Sequence, residues 1–107
     1  MSTDIIACKK LKKEYNDQIN TDKEIASFTL SLRLNDYQGA MDLFTDNYEN
    51  IFTEDKDRAV FDIYVFSRQK IIELKKINDE KNFGDDVTWF LNQLLSSDVD
   101  IFYIKIF

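Results

Sequence analysis

The spacing of apolar residues predicts helices along most of this chain. From about Thr3 to Ile19 they recur every three or four positions, as on one side of an α-helix: Cys8, Leu11, Tyr15 and Ile19. The residues from Thr21 to Glu24 match a capping box, in which a hydroxyl and a carboxylate accept hydrogen bonds from the free N–H groups at a helix start. We therefore predict one helix over about residues 3–19 and the start of a second near Thr21.

The segment from residue 28 to 34 fits two structures. Its apolar residues alternate strictly with polar ones, which is typical of a strand. The same residues, taken together with Ile25 and Ala26, also form two adjoining helical rows. The capping box before them favours a helix, and a strand over 28–34 is the alternative.

A strongly amphipathic segment follows. Its apolar residues lie within one arc of a helix drawn at about 100° per residue: Tyr37, Ala40, Met41, Phe44, Tyr48 and Ile51. The acids Asp42, Asp46 and Glu49 lie on the opposite side. This pattern predicts a helix over about Asp36 to Asn50.

Residues 53–77 again allow two interpretations. A helix capped by Thr53 would carry two apolar rows and lie buried on two sides. The alternative is a strand over Ala59 to Phe66, which is rich in β-branched and aromatic residues, followed by a short helix. Beyond this segment the pattern indicates three elements: a polar loop over Asn78 to Asp86, a helix that starts at Asp85 or Asp86, and a strand over Val99 to Phe107.

Together these elements predict a mostly α fold, a small single-domain bundle of four to five helices with a C-terminal β-like segment. An α+β fold with about three strands, near 28–34, 59–66 and 99–107, is the alternative. At 107 residues a single domain over 1–107 is expected. The absence of Pro and the presence of only two Gly favour helices, because tight hairpins need residues that adopt a positive φ.

The composition also bears on where the protein acts. A single cysteine, Cys8, cannot form an internal disulfide, which indicates a reducing compartment. No apolar run reaches the roughly eighteen residues that span a bilayer. We therefore predict a cytoplasmic protein with no membrane partner. The abundance of Ile, Lys, Asn, Phe and Tyr is typical of an AT-rich genome and indicates a bacterial or phage origin.

The residue inventory argues against most catalytic and metal sites. Without His, the chain has no imidazole base and no Ser-His or Cys-His dyad. One Cys cannot build a structural zinc site. A calcium loop centred on Gly84 would place Lys81, Phe83 and Phe90 at ligand positions, and such a loop does not bind calcium. We predict that the protein is not an enzyme, has no catalytic residues, and uses neither a cofactor nor a metal.

The charge distribution is the most specific signal. The formal net charge is −6, and residues 34–62 alone carry eight acids and two bases, also net −6. An acidic chain is unsuited to nucleic-acid binding, which relies on Lys and Arg neutralising phosphates. A local concentration of acids is suited to a partner protein with a basic surface. The residues predicted to bind this partner are Asp42, Asp46, Glu49, Glu54, Asp55 and Asp57.

These observations favour a non-enzymatic acidic binding protein. The function predicted first is that of an immunity or inhibitor protein, which occludes a basic site on a toxin, nuclease or defence effector. The alternative is a self-associating structural or adaptor module. In that case a homodimer forms through the strand from Val99 to Phe107. This strand needs a neighbour, and the candidates are residues 28–34, Ala59 to Phe66, or a strand of another chain.

Overall fold

The computed structural model describes residues 2–13, 19–33, 36–56 and 59–107, without the side chains of 53–61. Within these ranges five strands and three helices follow one another along the chain: β1 (Ser2–Lys13), β2 (Ile19–Ser31), α1 (Tyr37–Thr45), β3 (Asn50–Lys56), β4 (Ala59–Ser67), α2 (Arg68–Lys81), α3 (Asp85–Ser96) and β5 (Ile101–Ile106).

The strands form one antiparallel sheet in the order β2-β1-β5-β4-β3. The last strand in the sequence, β5, is therefore central, and β2 and β3 are the two edges. One face of the sheet shares a core with the helices, in which four of the described aromatic rings are fully buried: Phe44, Phe66, Phe90 and Phe102. No helix in the described ranges is long and apolar enough to cross a membrane.

The prediction of a mostly α bundle is wrong, because the structure is α+β with a five-stranded sheet. The region expected to form the first helix contains β1 and the beginning of β2. In β1 the fully buried residues Ile5 and Ala7 alternate with exposed or half-buried neighbours, as in a strand. A β-bulge between Ala7 and Cys8 then places two successive residues in buried positions. Because of this interruption, the alternation of buried and exposed residues in β1 is not evident from the sequence.

The second expected helix is also wrong. The capping-box residues Thr21 to Glu24 lie inside β2, which pairs with β1. Alternation at the end of β2 reflects the true structure, since Ala26 and Leu30 are buried whereas Ser27 and Thr29 are exposed. The capping-box pattern describes hydrogen bonds available at a helix start, and here the long-range pairing of β2 with β1 overrides it.

The remaining elements agree in part with their predictions. α1 is a helix but ends at Thr45, so it is shorter than the predicted span to Asn50. Residues 53–77 follow the strand alternative, with β4 over Ala59–Ser67 and α2 after it. α2 extends to Lys81, which shortens the predicted loop, and α3 begins at Asp85 as expected. β5 lies within the predicted C-terminal strand.

Candidate functional site

The candidate site is a surface groove between α1 and α2, with a volume of about 270 Å³. α1 begins where Asp36 acts as its N-cap and accepts a hydrogen bond from the Gly39 N–H at 3.0 Å. The helix then presents Asp42 and Asp46 one turn apart, and both line the groove together with Asp36. We call these three residues the α1 acidic groove.

Internal ion pairs do not neutralise the α1 acidic groove within the described residues. None of its three carboxylates lies within 4.0 Å of a Lys or Arg nitrogen that the structure describes. Asp42 accepts a hydrogen bond at 2.7 Å from the side-chain amide of Gln38, a donor that carries no charge. Lys81 lines the same groove, so the local ratio is three carboxylates to one ammonium group. The groove is thus a locally negative concavity.

Glu49 does not join this groove. Its Oε1 accepts a hydrogen bond at 2.7 Å from the N–H of Ser67, the N-cap residue of α2. The hydrogen bonds from Ser67, together with the nearby Lys70 ammonium group, hold the pKa of the Glu49 carboxyl below its ordinary value. Glu49 remains exposed, but it acts as a structural link between the start of β3 and the start of α2.

The structure leaves three of the predicted residues undecided. Glu54 and Asp55 belong to the edge strand β3, and their side chains are outside the described part. Asp57 lies outside the described residues altogether. The structure therefore does not place the six predicted residues in one patch. Asp42 and Asp46 line the same groove, whereas the Glu49 carboxylate contacts the N–H of Ser67. Asp36 lies beside Asp42 and Asp46 because the N-terminus of α1 borders the groove. Its position as the N-cap of a predicted helix is the sequence feature that could have identified it.

The premise of the dimer prediction through Val99 to Phe107 does not hold. β5 pairs with β1 on one side and with β4 on the other. Beyond the strand, Phe107 exchanges two main-chain hydrogen bonds with Asp4, at 2.7 and 3.0 Å. The neighbours that this strand needs therefore lie within the chain, and one of them, β4, covers the candidate segment Ala59 to Phe66.

The arrangement of the other candidate groups offers little chemistry. In the described part of the chain, no three Asp, Glu or Cys side chains come together in a group that could hold a metal ion. Cys8 is buried in β1, and its burial raises the pKa of the thiol above its ordinary value. A raised pKa disfavours the thiolate, which is the nucleophilic form.

Comparisons of the chain with protein-family models, with curated proteins and with solved structures find no match.

Proposed function

We propose that this chain is a non-enzymatic acidic binding protein of the immunity or inhibitor type, which acts in the cytoplasm and occludes a basic site on a toxin, nuclease or defence effector. The observation that supports the proposal is the α1 acidic groove, in which Asp36, Asp42 and Asp46 share one concavity without ion pairs among the described residues. The buried single cysteine is consistent with a reducing compartment.

The physical basis is charge complementarity. The net charge of −6 attracts a basic partner at long range, and fields of this kind raise association rates by about 10- to 1,000-fold. At contact, the Asp42 and Asp46 carboxylates pair with Lys or Arg of the partner in the positions that phosphate oxygens would occupy. Charged residues at the rim of an interface act mainly on the association rate and on its salt dependence.

The test compares three forms of the protein as bait in affinity capture from the source cells, quantified by mass spectrometry. The first is the wild type and the second is the variant Asp42→Asn/Asp46→Asn. The third is the control variant Glu80→Gln/Asp98→Asn, in which both altered residues are exposed and neither lines the groove. Both variants carry a net charge of −4 instead of −6, because each loses two acids. Asn at position 42 retains an oxygen that accepts the Gln38 hydrogen bond.

We expect a protein with a basic surface to be retained by the wild type and the control but lost from the groove variant. Its retention should fall as salt rises from about 0.15 M to about 1 M, where the Debye length shortens from about 8 Å to about 3 Å. The activity of the captured protein should then be suppressed by the wild type and not by the groove variant. Equal capture by all three baits would refute the assignment of the groove as the binding site. A captured partner whose activity is unchanged by the wild type would refute the inhibitory role.

A further inference from the structure

The outer edge of β2 carries main-chain groups that point away from the sheet. Asp4 of β1 exchanges both of its main-chain hydrogen bonds with Phe107, on the side of β5. In an antiparallel ladder, a residue bonded to one neighbour faces its partner on the other side as a non-hydrogen-bonded pair. Thr29, the partner of Asp4 in β2, therefore directs its N–H and C=O away from β1. Ser27 and Ser31, two positions away on either side, do the same.

This edge lacks the features that normally prevent strand pairing. From residue 25 to 32 the sequence reads IASFTLSL, eight positions without a charge, a proline or a glycine. The opposite edge, β3, differs because it carries Glu54, Asp55 and Lys56 in succession. In the part of the chain that the structure describes, no main-chain hydrogen bond from another element reaches the outer groups of Ser27, Thr29 or Ser31.

We propose that the β2 edge pairs with the β2 edge of a second copy of this chain, antiparallel and across a twofold axis at Thr29. Ser27 of one copy then lies opposite Ser31 of the other, and Thr29 lies opposite its own counterpart. Three hydrogen-bonded pairs give about six intermolecular hydrogen bonds. The two five-stranded sheets become one continuous sheet, and the contact is isologous because the same surface serves on both sides. This inference does not depend on the proposed function.

The charges at the ends of the segment complement each other in this arrangement. Glu24 precedes the uncharged stretch and Arg33 follows it, and both are exposed. Antiparallel pairing brings the Arg33 end of one copy to the Glu24 end of the other. Asp85 and Asp86 are like charges beside this edge, because they line a groove together with residues 28–31 of β2. Salt screens the repulsion between these acids of the two copies.

Sedimentation velocity of the purified chain, over about 1 µM to 1 mM, tests the pairing, since weak dimers need concentrations near their dissociation constant. We expect a species of twice 12.7 kDa. Thr29→Pro removes an outward N–H at an edge position where proline is tolerated, and Thr29→Lys places like charges on the twofold axis. Each should raise the dissociation constant by about 10- to 100-fold. Gln69→Lys, at an exposed position of α2, is the control with the same change of charge and should leave the constant unchanged.

A cysteine at the axis tests the register. Two Thr29→Cys chains would have Cα atoms about 5.5 Å apart, within the range that a disulfide spans. We expect rapid intermolecular crosslinking of Thr29→Cys under mild oxidation and little for Gln69→Cys, and Cys8 is buried in both. A monomer throughout the concentration range, or a dimer unaffected by both Thr29 substitutions, would overturn the proposal. A dimer weakened by both substitutions but without the Thr29→Cys crosslink would overturn the Thr29-centred register.

Discussion

The side chain of Arg68 is the most consequential single contact outside the core. Arg68 is the first residue of α2, and its guanidinium reaches across to the chain that connects α3 with β5. There it donates hydrogen bonds to three main-chain carbonyl oxygens: those of Leu95 at 3.0 Å, of Ser97, and of Val99 at 2.8 Å. The guanidinium also lies 5.9 Å from the ring centroid of Phe102. The guanidinium therefore supplies both hydrogen bonds and a positive charge to the C-terminal end of α3.

The expected cost of Arg68→Met follows from these contacts. Three charge-assisted hydrogen bonds contribute about 1.5 kcal/mol each at the low end, about 4.5 kcal/mol in total. Releasing the ordered side chain returns about 2 kcal/mol of conformational entropy. Removing a positive charge from the start of α2 returns a further roughly 0.5 kcal/mol. We expect a net loss of about 2 kcal/mol in the free energy of unfolding, which corresponds to a fall in Tm of about 8–16 °C for a chain of this size.

Urea unfolding followed by far-UV circular dichroism measures this loss. The matched control is Asp100→Asn, which removes the only carboxylate within 4.0 Å of the Arg68 guanidinium among the described residues. The two groups are 3.8 Å apart, and the Asp100 side chain is 91% exposed. An ion pair this exposed contributes less than about 0.5 kcal/mol. If Arg68→Met and Asp100→Asn destabilise the protein equally and by less than about 0.5 kcal/mol, the assignment of stability to the carbonyl hydrogen bonds is incorrect.

Two further predictions concern polar contacts of the helices. Asn78→Ala removes the buried side chain that accepts a hydrogen bond from the Phe83 N–H at 3.1 Å. We expect the free energy of unfolding in urea to fall by about 1–3 kcal/mol, and to change little for the control Asn92→Ala, at an exposed position. Equal effects of the two substitutions would contradict the role of the buried hydrogen bond. Glu49→Gln tests the lowered pKa of the Glu49 carboxyl. The stabilisation by the carboxylate is present above about pH 4.5 and is lost as pH falls through the folded-state pKa, so the wild type should be more stable than the variant at pH 7 and lose this advantage at low pH. A difference in stability that does not change with pH would contradict this reasoning.

The elements that the sequence predicts correctly are those in which one local pattern dominates. α3 has acids at its start and buried residues at helical spacing, and β5 lies in a run rich in residues that favour strands. The failures occur where a local pattern has two interpretations. The bulge at Ala7 and Cys8 and the capping-box sequence within β2 both give patterns that are typical of a helix. The strand structure is determined instead by the pairing of β1 with β2.

The scarcity of Gly and Pro was also a misleading argument. β1 with β2, and β3 with β4, are antiparallel neighbours that follow each other in sequence. Other residues also adopt the positive φ for which glycine is preferred: Asn82 ends α2 at φ 54°, and Lys23 has φ 58° inside β2. Asparagine tolerates this conformation because its short side chain forms local hydrogen bonds. Counting glycines therefore underestimates how often such a chain can turn.

Among the residues predicted to bind a basic partner, Glu49 lies apart from Asp42 and Asp46 for a related reason. Charges that are close in the sequence stay close on the surface only while the chain remains in one element, as Asp42 and Asp46 do one helical turn apart. Between Asp46 and Glu49 the chain leaves α1 for the sheet, and the carboxylate of Glu49 accepts the N–H of Ser67. The interface that we propose at the α1 acidic groove is thus about one helical turn wide. Electrostatic attraction over so small an area accelerates association more than it strengthens the complex, so apolar contacts beside the groove must supply most of the affinity.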